Sequence, residues 1–284
     1  MTEALSPVGR FQTILLATDG SEFSAAAEQA ARDMAARCEA RLLVTRVVLT
    51  NPEYEALVPD RVQQAEKAAQ AEIDVVAEQA RAAGLQVETL LRHGADPYHE
   101  VVRAADEKHA DIIVMGRRAR SDLARMLVGD STAKVIGLAS CSVLVLPRDT
   151  RMPESRILVA TDGSRLGDAA AFSAVKLAQM CRLPLTAVSV IPSDSGDEQR
   201  RDAQAALTRV EAAAQEAGLQ IETRVEAGRR PDEVILKIAQ ECGADLLVLG
   251  SHGRTGLSRL LMGSVSERVL GHAKCPVLVV RASV

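Results

Sequence analysis

Two short segments of the 284-residue chain carry residue types and spacings suited to holding an anion. Thr161-Asp162-Gly163-Ser164 follows an aliphatic run and offers a carboxylate, two hydroxyls and a glycine. Gly250-x2-Gly253-x9-Gly263-Ser264 follows another such run and leads into sequence of helical period. Glycines let backbone N–H groups approach a ligand closely, and a helix starting at Ser264 adds unbonded N–H donors and a positive dipole end. That is what a polyphosphate needs. Each feature also has a plain structural reading. Asp-Gly-Ser after a strand is an ordinary turn with a helix-capping serine. Ser264 with Glu267 fits the S-x-x-E capping box, so Ser264 serves as a cap with or without a ligand. Arg254 and Arg259 are placed to neutralise phosphate, although single loop arginines are more often solvated.

Other constellations carry less. His93, His99 and His109 lie near Asp96 but show no H-x3-H helical spacing, so a surface or structural role is preferred to metal binding. Neither a G-x4-G-K-[S/T] loop nor an S-G-G-x-D-S loop occurs, and efficient hydrolysis by those devices is not expected. The five cysteines include no C-x-x-C pair, which speaks against a disulfide framework and for small buried apolar residues in a reducing compartment.

The elements that must position these segments come in two copies. ILLATDGS at 14–21 matches ILVATDGS at 157–164, and AGLQVET at 83–89 matches AGLQIET at 217–223. The offset shrinks between the two pairs, so the first copy holds an insertion; T-N-P-E-Y-E-A-L-V-P-D-R at 50–61 is placed there and read as a loop. The smaller offset then pairs ADIIVMG at 110–116 with ADLLVLG at 244–250, and CSVLVL at 141–146 with CPVLVV at 275–280. Domains are expected at 1–149 and 154–284. Within each copy, aliphatic runs alternate with Ala-rich helical segments, predicting five parallel strands covered by helices on both faces. For the second copy the strands are predicted at 156–161, 184–190, 219–226, 245–249 and 277–281, and the helices at 166–181, 197–217, 231–242 and 264–272. In such a sheet ligands bind beyond the carboxyl ends of the strands, where the order reverses. Both candidate segments follow strands.

The glycine spacing resembles the G-2x-G-9x-G-[S/T] nucleotide motif of the universal stress protein family. The opening I-L-V-A-T-D-G-S and closing C-P-V-L-V-V of the second copy, with the matching I-L-L-A-T-D-G-S and C-S-V-L-V-L of the first, extend the resemblance over nearly the whole chain, which looks like a tandem member. The resemblance implies an α/β fold of two Rossmann-like, adenine nucleotide alpha hydrolase-like domains, each with strand order 3-2-1-4-5. It also implies ATP, or ADP or AMP, with Mg or Mn carried on the phosphates. Asp162 would then meet the ribose, while Ala160, Thr161, Val190 and Leu249 frame the adenine. Gly250 and Gly253 would admit ribose and phosphates, Gly263, Ser264 and Val265 would donate to the phosphates, and Arg254 would add charge.

The first copy departs from this pattern. It reads Gly116-Arg117-Arg118-Ala119, then Gly129-Asp130, so Ala replaces the second glycine and a carboxylate replaces the hydroxyl. Asp130 would occupy the positive helix end and repel a phosphate. One nucleotide per chain, in the second copy, is the expectation. Arg117, Arg118, Arg120 and Arg125 leave the first loop basic, which suits a different anion or an acidic partner.

Composition bounds the rest. Thirty-four Lys and Arg against 38 Asp and Glu give a net charge of −4, which argues against non-specific nucleic-acid binding and a polybasic membrane anchor. Two tyrosines, three phenylalanines and no tryptophan nearly exclude a base-stacking platform. Lacking an apolar signal or spanning run, the chain is expected in the cytoplasm. No strong catalyst stands out, so an ATP-binding stress regulator with unknown protein partners is favoured. Slow ATP hydrolysis or self-phosphorylation at Ser264 or Ser266, and a nucleotide-free interaction module, are the alternatives. The last strand of each copy, apolar and at a sheet edge in the implied order, invites pairing of the two copies into a pseudo-dimer, with a further homodimer plausible.

Overall fold

The computed structural model describes residues 10–117, 130–253 and 262–281, with the side chain of Asp130 also outside the description. The first copy runs β1 (Thr13–Ala17), α1 (Ala25–Cys38), β2 (Arg41–Leu49), α2 (Pro52–Leu57), α3 (Pro59–Ala82), β3 (Val87–Gly94), α4 (Pro97–Glu107), β4 (Ile112–Gly116), α5 (Asp130–Leu138) and β5 (Ser142–Leu146). The second runs β6 (Ile157–Ala160), α6 (Arg165–Cys181), β7 (Leu185–Ile191), α7 (Asp197–Glu216), β8 (Glu222–Ala227), α8 (Pro231–Glu241), β9 (Leu246–Gly250), α9 (Ser264–His272) and β10 (Val277–Val280).

The ten strands among the described residues form one sheet, ordered β3-β2-β1-β4-β5-β10-β9-β6-β7-β8. Each copy therefore has the order 3-2-1-4-5, parallel throughout, and the copies join edge to edge. The join is antiparallel, with Val277 opposite Val145, Leu278 opposite Leu144 and Val279 opposite Val143. Every residue of β5 and β10 is buried. Two arginines stitch the join from either side. Arg117 Nη1 donates to the carbonyls of Leu270 (2.5 Å) and Gly271 (3.1 Å) in the last turn of α9. Arg281 Nε donates to the Ala139 carbonyl just beyond α5 (2.9 Å). Cationic donors at helix C-termini satisfy carbonyls that have no intrahelical partner.

Strand alternation divides the interior into two layers. Ile14 and Leu16 face one layer with Met34, Ile73, Val159 and Ala174, while Leu15 faces the other with Ile113, Ile136, Leu158 and Ile238. Both layers run through both copies, so the join is continuous core.

The insertion at 50–61 is not a loop. Asn51 accepts a hydrogen bond from the Tyr54 N–H at 2.8 Å, and Pro52 and Pro59 open α2 and α3. Proline at a first helical position gives up no hydrogen bond, and Asn before it is a capping residue; Asn-Pro was a start signal read as a break.

The cysteines are all unpaired. Cys181 is exposed, contrary to the expectation of burial, because it is the last residue of α6; the other four are half-buried. Burial pushes the Cys141 thiol up to about 12, with Asp106 adding to the effect, and the Cys275 thiol up to about 11, with Asp245 adding. Since the thiolate is the reactive form, iodoacetamide at pH 8 should label Cys181 at least about tenfold faster than Cys141 or Cys275. Peptide mapping of the native protein over time gives the ratio, and equal rates would contradict these environments.

Candidate nucleotide site

The site forms beyond the ends of β6 and β9, adjacent strands in which Ala160, the last residue of β6, stands beside Leu249 in register. Ala160, Val190 from β7 and Val265 from α9 are half-buried against the layer that holds Leu249 and Met262. Ala160, Val190 and Leu249, the apolar residues expected to frame a base, thus lie in one layer with Val265, expected to donate to phosphates.

After β6 the chain turns within hydrogen-bond reach of itself. Thr161, 4% exposed, donates its N–H to the Val188 carbonyl at 3.0 Å. Its hydroxyl accepts from the Gly163 N–H at 3.1 Å, and Asp162 Oδ1 accepts from the Ser164 N–H at 3.0 Å. Gly163 has φ +75°, a conformation that side-chain-bearing residues rarely adopt. Ser164 then caps α6 by accepting from the Gly167 N–H at 3.1 Å. Arg209, on α7, braces the turn through Asp168 (2.8 Å) and the Gly163 carbonyl (3.4 Å).

Beyond β9, Ser251 is fully buried. The Gly263 N–H donates to its carbonyl at 2.8 Å, so the long loop closes at its base. Ser266, buried, donates its hydroxyl to the Gly250 carbonyl at 2.8 Å, fixing α9 against the end of β9. That tether occupies the Ser266 hydroxyl proton at the end of β9. The capping-box reading of Ser264 also fails. The Glu267 N–H donates to the Gly263 carbonyl at 2.9 Å, which makes Gly263 the cap and exposed Ser264 the first helical residue. Glycine has no side chain to occupy the N–H groups of the first turn, which have no partner within the helix.

Three glycines keep space that side chains would fill. A Cβ on Gly253 would stand 2.5 Å from Asp162 Oδ2, and one on Gly167 would stand 2.7 Å from Asp162 Oδ1 and 2.8 Å from Thr161 Oγ1. Gly250 answers to packing first: a Cβ there would meet the Leu166 carbonyl oxygen at 2.8 Å, where α6 crosses β9. His252 has its Nε2 buried with no hydrogen-bond partner among the described residues, and burial and the Arg281 charge push its pKa down. Arg254 and Arg259 lie outside the described residues, as do Arg118, Ala119, Arg120, Arg125 and Gly129.

The first copy fills the same space from within. Ser24 stands where the second copy has Gly167, and its hydroxyl donates to Asp19 Oδ1 at 2.7 Å. The same oxygen accepts from the Ser21 N–H (3.0 Å) and hydroxyl (2.5 Å). Thr18 donates to Glu28 Oε1 at 2.6 Å, where the second copy has Ala171. Arg46, where the second copy has Ser189, pairs with Glu72, and both crowd Gly20. Sequence inspection missed Arg46 and Gly167. Aligning the two copies residue by residue beyond the motif would have shown both.

Elsewhere His93 Nε2 pairs with Glu66 Oε1 at 2.9 Å, and among the described residues no three His, Cys, Asp or Glu side chains cluster as a metal site.

A doubly wound sheet with a glycine-lined crevice at the point where the strand order reverses defines the class of α/β proteins that bind ligands at that switch point. Comparison with known proteins narrows it. The model of the universal stress protein family matches twice, over residues 10–147 and 154–281. The chain belongs to that family. A universal stress protein from Mycolicibacterium smegmatis is 32% identical over 216 residues, covering 70% of each chain. One from Methanocaldococcus jannaschii is 35% identical over 139 residues, 44% of this chain and 81% of that one. The crystal structure of a universal stress protein from Archaeoglobus fulgidus, 25% identical, superimposes with a TM-score of 0.77 over 97% of this chain and 98% of that one.

Proposed function

We propose that the second copy holds one adenine nucleotide per chain, ATP or its di- or monophosphate, and that its occupancy controls conformation, assembly or partner binding in a cytoplasmic stress response. The copies act as domains at 1–149 and 154–284. The observation that carries this reading is the contrast between the copies: Gly167, Ala171 and Ser189 stand in the second copy where Ser24, Glu28 and the Arg46–Glu72 pair fill the space in the first. The donor set fits the ligand. The first-turn N–H groups of α9, Val265 among them, and the Ser264 hydroxyl would hold phosphates, Asp162 the ribose, and Ala160, Thr161, Val190 and Leu249 the base, with Gly250 and Gly253 lining the path. Mg or Mn on the phosphates would offset their charge, with Arg254 beside them.

The test is to purify the protein without added nucleotide, denature it and count released adenine nucleotide, beside Ser264→Asp. That substitution copies Asp130 onto an exposed helix start where Asp is well tolerated, so the fold should persist. The expected result is about one equivalent per chain, falling at least about tenfold in the variant through like-charge repulsion. No nucleotide, with none taken up on adding ATP and magnesium, or full retention in the variant, would overturn the reading.

A further inference from the structure

Where the copies join, α1 and α6 leave a cavity of about 440 Å³ beside the β5–β10 pair. It lies on the face of the sheet opposite Leu249 and Met262, apart from the nucleotide site. Its apolar lining comes in matched pairs from the two copies, Met34 with Leu177 and Leu144 with Leu278. Two matched pairs break that symmetry. Arg10 stands where the second copy has Pro153, and Arg37 where it has Met180. The cavity is thus mostly apolar, with two arginines of the first copy as its cationic groups. Arg37 makes no ion pair among the described residues, and the Arg10–Glu39 pair is long, at 3.9 Å, and largely exposed.

A site of this size falls within the usual range of about 300–1,000 Å³ for small-molecule pockets, which are mostly apolar with a few polar groups setting orientation. It holds the volume of about fifteen water molecules. A straight-chain carboxylate of about twelve carbons, with about fourteen heavy atoms, fills that space. We propose that this cavity binds a free medium-chain fatty acid, its carboxylate toward Arg10 and Arg37 and its chain against the apolar lining that includes Leu144 and Leu278. An apolar chain gains from leaving water, while the head keeps a cation and solvent at the rim. Two arginines without an equivalent across the join set the direction of entry.

The experiment is calorimetric titration of the full delipidated chain with dodecanoate, dodecan-1-ol and dodecylammonium. One saturable site per chain is expected, with dodecanoate at least about tenfold tighter than dodecylammonium. Arg10→Glu with Arg37→Glu, both exposed and therefore benign to folding, should weaken dodecanoate at least about tenfold and leave dodecanol within about twofold. Dodecanoate should also slow alkylation of Cys181, which lines the cavity. Absence of a saturable site, equal affinity for the three heads, unchanged binding by the double variant at an unchanged melting temperature, or unprotected Cys181 would each overturn the proposal.

Discussion

Leu278→Asp should cost the protein about 4 kcal/mol or more of unfolding free energy, because it places an unpaired charge in the middle of the sheet. Leu278 is 3% exposed and lies opposite Leu144 in the antiparallel pair that joins the copies. Its strand partners, Leu144 and Val248, are aliphatic, and the two arginines that line the cavity it borders are exposed. A domain of ordinary stability has about 5–15 kcal/mol to lose, so the variant should be marginal at 25 °C. Leu144→Asp should behave alike, whereas Val75→Asp, at a position 54% exposed on α3, should change stability by less than about 0.5 kcal/mol. Urea titration followed by circular dichroism measures all three. A midpoint within error of wild type for Leu278→Asp would mean that the β5–β10 pairing is absent in solution.

Gly116→Ala is the second large effect. A Cβ at Gly116 would overlap the Phe23 carbonyl and stand 3.1 Å from Ser24 Cα, where the start of α1 crosses the end of β4. The obstacle is backbone, which cannot swing aside as a side chain does, so overpacking of about 1–3 kcal/mol follows. Gly250→Ala repeats the experiment in the second copy, where α6 crosses β9 and the nearest atom is the Leu166 carbonyl oxygen at 2.8 Å. Gly196→Ala, whose Cβ would meet only Gln199 Oε1 at 3.7 Å, is the control. At about 2–4 °C per kcal/mol for a chain of this size, the first two should melt several degrees lower and the control close to wild type. Equal melting temperatures for Gly116→Ala and Gly196→Ala would refute the close approach.

These glycines also show how far the sequence could be read. The repeat, the strand positions and the apolar edge strands were legible because they are written in local periodicity: the predicted helices at 166–181 and 264–272 differ from Arg165–Cys181 and Ser264–His272 by one residue at most. The alternation of β and α, with the family resemblance, led to the strand order. What was not legible depends on residues distant in sequence. Arg209 braces Gly163 across 46 positions, and Arg117 reaches Leu270 across 153. Neither arginine sits in a pattern that announces a partner. Gly250 was read as making room for a ligand, yet its first neighbour is the backbone of another helix; a glycine in sequence marks space without saying who uses it. Asn51-Pro52 illustrates the local limit, since the same two residues open helices and break them.

The edge-to-edge join also settles where growth of the sheet must stop. With β5 and β10 consumed by each other, the two remaining edges are β3 and β8, and these are partly exposed strands bearing Glu88 and Arg92 on one and Glu222, Arg224 and Glu226 on the other. Charged side chains along an edge oppose the addition of a further strand. A separated copy would present an edge apolar over at least four residues and tend to self-associate or aggregate, whereas the linked pair hides both sticky edges and shows the solvent only guarded ones. Tandem fusion therefore acts as protection against runaway β-polymerisation, and any larger assembly of this chain is left to its helical faces.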